Sequence, residues 1–334
     1  MACESVAYAR AGLVGNPSDG YFGKTISVIL KNFAAKVTLY ESPELEIVPS
    51  FQDQMKYASM AELVRDVENN GYYGGIRLMK GAVRKFYDYC MTNQIDLPQR
   101  NFSIRYRSSI PRRLGLAGSS ALVTATMRCL MEFYDIEIPK PLLANLILSV
   151  ETEELGIAAG LQDRVIQVYG GLVFMDFSRE IMESQGYGNY ERLSPELLPP
   201  LFVAYRQDLG QGSEVIHQTV RARWLEGDPE VIAAMHDFAF YAQNARDLTI
   251  AGRGNEIGPI MDANFDRRCS IFKVDADNIA MVKQARLVGA HAKLTGSGGA
   301  IVGTYEDADM YERLVQAMAK LNAVVIKPQI ETDM

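Results

Sequence analysis

The order of strand-like and helix-like segments is the feature that most constrains how this chain can fold. Residues 5–14 form an apolar run typical of a buried strand, and residues 25–31 and 34–40 carry two further strand patterns. A helical spacing of apolar residues covers 119–134, and residues 171–177 again predict a strand. A doubly wound parallel sheet would require a regular βαβ repeat, which this order lacks. The sequence therefore predicts an α+β fold.

The chain is long enough for two domains. It has 334 residues, 48% of them hydrophobic, and a domain commonly contains about 100–200 residues. A stretch rich in Gly, Ser and Pro at roughly 184–199 precedes a new strand pattern at 201–206. We therefore predict one domain of residues 1–185 and a second of residues 186–334.

The net charge and the cysteine and histidine content indicate which classes of partner the chain can bind. The formal net charge is −7, and an acidic chain without an extended basic patch is a poor ligand for nucleic acid or an anionic membrane. Its four cysteines form no CxxC pair and its three histidines have no metal-ligand spacing. No segment approaches the ~18 apolar residues of a membrane span. We expect a cytoplasmic monomer or homodimer that binds small molecules, with no nucleic-acid or membrane partner.

The stretch GLAGSSA, residues 115–121, joins a turn of small residues to a helical pattern. Gly115 and Gly118 permit close backbone approach, and Ser119 or Ser120 can cap the helix. The free N–H groups and the dipole at a helix start favour a bound phosphate. A tightly packed helix start explains the same residues, so this stretch alone leaves both interpretations open.

Two further features favour a ligand site. The stretch KLTGSGGA, residues 293–300, is a second small-residue turn, and two such turns in different halves suggest a ligand held between domains. Glu151 and Glu153 lie near the end of one helical pattern and Asp163 begins another. Phosphoryl transfer uses a phosphate cradle, a carboxylate and a hydroxyl for Mg²⁺, and an acid that takes the acceptor's proton. A hairpin with a glycine bulge and a capping aspartate are the structural alternatives.

Two other enzyme classes fit less well. The stretch GYFGKT ends like a phosphate-binding P-loop, but Ser18 stands where that motif requires its first glycine. A serine hydrolase using Ser119 or Ser120 would require a G-x-S-x-G elbow, and the chain has none there.

Together these segments resemble the three motifs of the GHMP kinases. PRRLGLAGSSA, the glutamate followed by LGIAAGLQD, and KLTGSGG occur in the order of that family. GNPSDGYFGKTIS and NGYYGGIRL extend the resemblance to a plant-type branch that acts on D-glucuronate. The resemblance implies a two-domain fold whose N-terminal half is like ribosomal protein S5 domain 2 and whose C-terminal half is ferredoxin-like. ATP would lie between the halves.

The resemblance also implies roles for individual residues. The ATP phosphates would be bound by Gly115, Leu116, Ala117, Gly118, Ser119, Ser120 and Ala121. Ser120 and Glu151 would hold Mg²⁺, with Glu153 as the alternative because the family uses two spacings. Asp163 would be the catalytic base, and Arg10 would pair with it.

Contacts to the acceptor sugar follow from the same motifs. The candidate substrate-binding residues are Asp19, Asp163, Gly296, Ser297, Gly298 and Arg267. A uronic acid carries a carboxylate, which a cation should meet; Arg267, Arg268 and the loop 207–215 are candidates. Tyr72 and Tyr73 would line the nucleotide base or the sugar, or pack in the core.

The predicted reaction transfers the γ-phosphoryl group of ATP to the anomeric hydroxyl of D-glucuronate. Galacturonate, galactose or a heptose phosphate as acceptor, and a non-catalytic sensor on the same fold, are the alternatives. The chain departs from the family in reading Gly15-Asn16-Pro17 where Gly-Glu-His is usual, and Ala117 is an extra residue in the glycine turn.

Overall fold

Two β-sheets with helices packed against them form the protein. The computed structural model describes residues 1–49, 53, 59–60, 74–206 and 214–330. Among these residues, the first sheet has six strands and the second has four. This arrangement confirms the α+β class and is consistent with a two-domain fold.

The first sheet is built around one long strand. Its strands are β1 (Ala2–Val14), β2 (Lys24–Glu41), β3 (Glu46–Val48), β4 (Phe102–Ser108), β5 (Leu172–Asp176) and β6 (Asn189–Leu193). One edge of β2 pairs with β1, and the other pairs with β5 near its start and β4 near its end. The two strands predicted at 25–31 and 34–40 are therefore one strand. A register shift opposite Tyr8 and Ala9 takes up the residues between them.

The second sheet is antiparallel throughout. Its strands are β7 (Leu201–Tyr205), β8 (His291–Leu294), β9 (Ala300–Thr304) and β10 (Val324–Ile326), in the order β10-β7-β9-β8. Because β6 pairs with β5, the first sheet extends beyond the predicted boundary at residue 185. We propose that the domains divide between Leu193 and Leu201.

Helices cover both sheets. In the first half they are α1 (Gly75–Thr92), α2 (Gly118–Tyr134), α3 (Lys140–Ser149), α4 (Gln162–Tyr169) and α5 (Arg179–Gln185). In the second half they are α6 (Glu214–Leu225), α7 (Pro229–Ile250), α8 (Gly258–Ile271), α9 (Ala276–Leu287) and α10 (Ala308–Ala319). Within the described residues, no helix combines the length and the apolar content that crossing a bilayer requires.

Packing brings both halves to the end of β1. Helix α2 lies against β1 and β2, with α1 on its other side, and its buried residues are almost all apolar or small. Helix α8 packs against β8 and α7 and also reaches β1. The last residues of β1 are fully buried between these elements, so the turn after β1 lies where the two halves meet.

Candidate active site

The first glycine turn reverses the chain before α2. Gly115 has φ +61°, and a Cβ on it would lie 2.7 Å from the backbone nitrogen of Ser297, so glycine lets the two small-residue turns touch. Ala117 also has positive φ, +62°. Its carbonyl accepts hydrogen bonds from Ser120 Oγ at 3.1 Å and Gln167 Nε2 at 2.9 Å. The extra alanine is therefore the left-handed residue that starts the helix.

Arg10 on β1 connects both turns to Asp163. Its Nε donates to Asp163 Oδ1 at 2.7 Å, and its Nη1 donates to the carbonyls of Gly115 at 2.6 Å and Thr295 at 3.1 Å. The residue is 5% exposed. Three segments far apart in sequence thus meet at one buried guanidinium, and the charge of that group is compensated.

Two carboxyl groups lie side by side at the start of α4. Asp163 is in the first turn of the helix, and Asp19, from the short 3₁₀ helix Ser18–Tyr21, accepts from Gln162 N at 3.1 Å. Burial raises the pKa of Asp19 to about 6, and the charge of Asp163 adds to this rise. A Cβ on Gly160 would overlap Asp19 Oδ2, so glycine makes room for this carboxyl.

Glu151 lies beside the start of α2, on a π-helical turn, and is 2% exposed. Ser119 Oγ donates to Glu151 Oε1 at 2.7 Å, and Arg164 binds the other carboxylate oxygen. A carboxylate and a hydroxyl are oxygen ligands of the type that Mg²⁺ prefers. Ser119 and Glu151 therefore have the donor types that suit a magnesium ion, next to the start of α2.

Ser120 and Glu151, the residues predicted to hold Mg²⁺ together, are not hydrogen-bonded to each other. Ser120 is buried and its hydroxyl donates to the Ala117 carbonyl, three residues earlier in the chain. Glu153, the alternative acid, has a 67% exposed side chain bound to Lys85 Nζ at 2.7 Å. The geometry thus favours Ser119 with Glu151 over the other pairings.

The second glycine turn is held by a buried lysine. Lys293 Nζ donates to the carbonyl of Gly12 at 2.7 Å, to Asn16 Oδ1 at 2.5 Å and to the carbonyl of Leu294 at 2.8 Å. Burial lowers the pKa of Lys293 well below its usual value. Asn16, which departs from the family pattern, therefore ties the turn after β1 to β8.

The predicted substrate residue Arg267 faces away from this site. Its Nε donates to Asp237 Oδ2 on α7 at 2.7 Å and its Nη1 to Ser270 Oγ at 3.0 Å. The inner face of α8 instead presents Asn264, whose Oδ1 accepts from Gly15 N at 2.6 Å. Sequence reasoning missed Asn264, although the buried positions of α8 follow the 3.6-residue helical period.

The structure therefore gathers most of the predicted residues. Those at or next to the meeting point are Arg10, Asp19, Gly115, Leu116, Ala117, Gly118, Ser119, Ser120, Ala121, Glu151, Asp163, Gly296, Ser297 and Gly298. Arg164 was not predicted, because a buried partner for Glu151 leaves no pattern in the sequence. Tyr72, Tyr73 and most of the loop 207–215 lie outside the described residues.

The segment that carries this site matches a known family. Residues 77–171 match the model described as "GHMP kinases N terminal domain". The match runs from α1 to the turn before β5 and includes the first glycine turn, Glu151 and Asp163.

Curated relatives extend the likeness to nearly the whole chain. It is 42% identical to "Glucuronokinase 1" of Arabidopsis thaliana over 98% of this chain and 91% of that protein. It is 43% identical to "Probable glucuronokinase 2" of the same plant, over 97% and 90%. Among solved structures, a D-glycero-D-manno-heptose 1-phosphate kinase from "Bacteriodes thetaiotaomicron" superposes with a TM-score of 0.70 and 20% identity, covering 100% of this chain and 97% of the other.

Proposed function

The chain belongs to the GHMP kinase family and is an ATP-dependent sugar kinase, and we propose that its acceptor is D-glucuronate. The proposed reaction transfers the γ-phosphoryl group of ATP to the anomeric hydroxyl and gives glucuronate 1-phosphate. Two relatives named as glucuronokinases, each more than 40% identical, support this acceptor. The observation that carries the mechanism is the meeting of Asp163 and both glycine turns at Arg10.

Asp163 is the proposed catalytic base. Its carboxylate accepts the proton of the sugar hydroxyl as that oxygen attacks the γ-phosphorus, and the bond to the leaving ADP oxygen breaks. Arg10 fixes the orientation of this carboxylate through the 2.7 Å contact between Nε and Oδ1. The phosphoryl transition state is loose, so this orientation and charge compensation supply much of the rate.

The start of α2 is the proposed phosphate site. Backbone N–H groups of the turn and the first helical residues offer hydrogen bonds without an intrahelical acceptor, and the helix dipole adds partial positive charge. Ser119 and Glu151 would hold Mg²⁺, which neutralises phosphate charge when bound. Arg164 already binds Glu151 and keeps this buried carboxylate in place.

Asp19 is the proposed ligand of a sugar hydroxyl. It lies beside Asp163 and is only partly exposed, so an acceptor that reaches Asp163 also reaches Asp19. With its pKa raised to about 6, Asp19 is ionised at neutral pH and accepts a hydrogen bond from the sugar. Glycine at position 160 leaves the carboxyl room for this geometry.

The proposal is tested by coupled ADP release with Mg-ATP and a panel of acceptors. The panel contains D-glucuronate, D-galacturonate, D-galactose and a heptose phosphate, and the product is examined by ³¹P NMR for an anomeric phosphate. We expect the highest kcat/KM with glucuronate. Activity with galactose but not glucuronate would refute the acceptor. Absence of ADP release with every acceptor in the panel would favour a sensor over a kinase.

A further inference from the structure

The inner face of α8 presents a second buried cation toward the turn after β1. Arg268 follows Asn264 by four residues, so both lie on the same side of the helix. Asn264 is bound to this turn: it accepts from Gly15 N at 2.6 Å and donates to the carbonyl of Asn16 at 3.2 Å. The turn leads directly into the short helix that carries Asp19. Arg268 therefore lies on the helix face that packs against the turn leading to Asp19.

Arg268 is buried without an acceptor. It is 4% exposed, its Nε has no hydrogen-bond partner, and the centroid of the Phe272 ring lies 5.0 Å from the guanidinium carbon. Among residues 1–49, 53, 59–60, 74–206 and 219–330, no carboxylate pairs with it.

Other buried cations lie close enough to act on Arg268 electrostatically. Burial lowers the pKa of Arg268 to about 10, and repulsion from Arg10 adds to this change. Arg268 in turn contributes to the lowered pKa of Lys293. At neutral pH Arg268 is still charged, so a positive group that has no counter-ion among the described residues lies near Arg10 and Lys293.

A buried charge without a partner is unfavourable, and an anion that docks beside it removes that cost. The planar guanidinium fork matches a carboxylate in a bidentate pair. Arg10 has only Nη2 left for such a contact and cannot offer a bidentate pair, because its Nε and Nη1 already donate to Asp163 and to two carbonyls. Arg267 cannot supply it either, because it is bound to Asp237 on the other side of α8.

We propose that Arg268 binds the carboxylate of the acceptor and makes the kinase selective for hexuronic acids. This inference rests on the proposed sugar-kinase function and deepens it. Asp163 then meets the hydroxyl that is phosphorylated, and Arg268 meets the acidic end of the same sugar. Glucuronate and galacturonate both carry this carboxylate. Arg268 therefore distinguishes hexuronic acids from neutral sugars but does not distinguish one hexuronic acid from another.

The test compares Arg268→Gln with the matched neighbour Arg267→Gln in the full chain. Steady-state kinetics are measured with glucuronate and with glucuronamide, its uncharged amide, and the KM for ATP is measured in parallel. We expect Arg268→Gln to raise the KM for glucuronate about 10–100-fold, the loss typical of a hydrogen bond to a charged group. The KM for ATP and all constants of Arg267→Gln should stay at wild-type values.

The ratio of kcat/KM for glucuronate over glucuronamide separates binding from a general structural role. Arg268→Gln should lower this ratio at least about tenfold, whereas a structural defect lowers both values together. Arg268→Lys keeps the positive charge and replaces the glutamine variant if that variant does not fold. Its ratio should lie between those of the wild type and Arg268→Gln. An unchanged ratio in Arg268→Lys and in any folded Arg268→Gln overturns the inference.

Failure of the proposed function has a different signature. If the wild type releases ADP with galacturonate and not glucuronate, the acceptor assignment falls, and the same variants are tested with galacturonate and its amide. If the wild type uses only acceptors without a carboxylate, the role of Arg268 is overturned as well. Wild-type activity on glucuronate with an unchanged ratio in the variants refutes Arg268 alone.

Discussion

Arg10 and Arg268 are both buried arginines near the meeting point of the two halves, but their partners differ. Arg10 donates to a carboxylate and two carbonyls, all between 2.6 and 3.1 Å. Arg268 donates no hydrogen bond to the described residues that surround it. The two proposed tasks follow from this difference: Arg10 orients the proposed base before substrate binds, whereas Arg268 offers its charge to a ligand.

The difference between the two arginines is tested most directly by removing each charge in turn and measuring the effect on stability. Arg10→Met leaves the Asp163 carboxylate and the carbonyls of Gly115 and Thr295 without their donor, so we expect a loss of about 3 kcal/mol or more in unfolding free energy. Arg268→Met removes an uncompensated charge and should leave stability unchanged or higher. Urea unfolding of both variants checks this. Equal destabilisation by the two substitutions would contradict the distinction.

Asp163→Asn removes the counter-charge of Arg10 and keeps the shape of the side chain at position 163. Arg10 then has no carboxylate partner there, as Arg268 has none among the described residues. We expect turnover to fall about 100-fold or more, the usual contribution of a general base, while ATP still binds. Turnover is measured by ADP release and ATP binding by calorimetry. Asp237→Asn, which removes the partner of Arg267 on the surface, is the matched control and should keep wild-type turnover. Near-normal turnover in Asp163→Asn would exclude it as the base.

Asp19 is the acidic counterpart of Arg268, a group whose charge the protein compensates poorly. Its pKa rises from 3.8 to about 6 on folding, so between these values the folded protein holds a proton that the unfolded chain releases. Stability contributed by this group is therefore lost as pH rises through about 4 to 6.

Asp19→Asn cannot ionise, so we expect it to be more stable than the wild type by about 2 kcal/mol at pH 7.5. The difference should shrink at pH 5. Urea unfolding of both proteins at the two pH values measures it. A difference that does not depend on pH would show that the ionisation of Asp19 does not affect folding.

The smallest expected effect concerns the backbone of Ala117, which lies in the glycine turn that Arg10 contacts. Ala117 adopts φ +62°, which costs an L-residue about 1 kcal/mol. Ala117→Gly should therefore raise the unfolding free energy by about 0.5–1 kcal/mol and retain activity. The control Ala121→Gly, inside α2, should lower stability by about 1 kcal/mol. Destabilisation by both glycines would contradict the role of the left-handed residue.

Local patterns were sufficient for the order of the elements and for the three motifs. The apolar run at 5–14, the helical spacing at 119–134 and the two glycine turns are properties of neighbouring residues, and the structure has the corresponding elements in that order. The two strands predicted at 25–31 and 34–40 are one strand in the structure, because a register shift against β1 accommodates the residues between them. Such a shift depends on the partner strand and leaves little trace in the sequence.

Side-chain partners were predicted less well. Ser120 and Glu151 are predicted to hold Mg²⁺ together, yet the Ser120 hydroxyl donates to the Ala117 carbonyl and it is the Ser119 hydroxyl that donates to Glu151. Arg267 and Arg268 are adjacent in sequence, and only the packing of α8 decides which one points outward to Asp237. The helical period of Met261, Asn264 and Phe265 would have indicated Arg268 as the inner residue.

The amino-acid sequence alone was sufficient for the α+β class and the family, because these depend on local periodicity and on the order of the motifs. Only the tertiary structure decided that Arg10 joins Asp163 to both turns, that burial raises the pKa of Asp19, and that Arg268 keeps an uncompensated charge. These properties depend on distances between groups far apart in the chain and on exclusion of water, which only the folded packing sets.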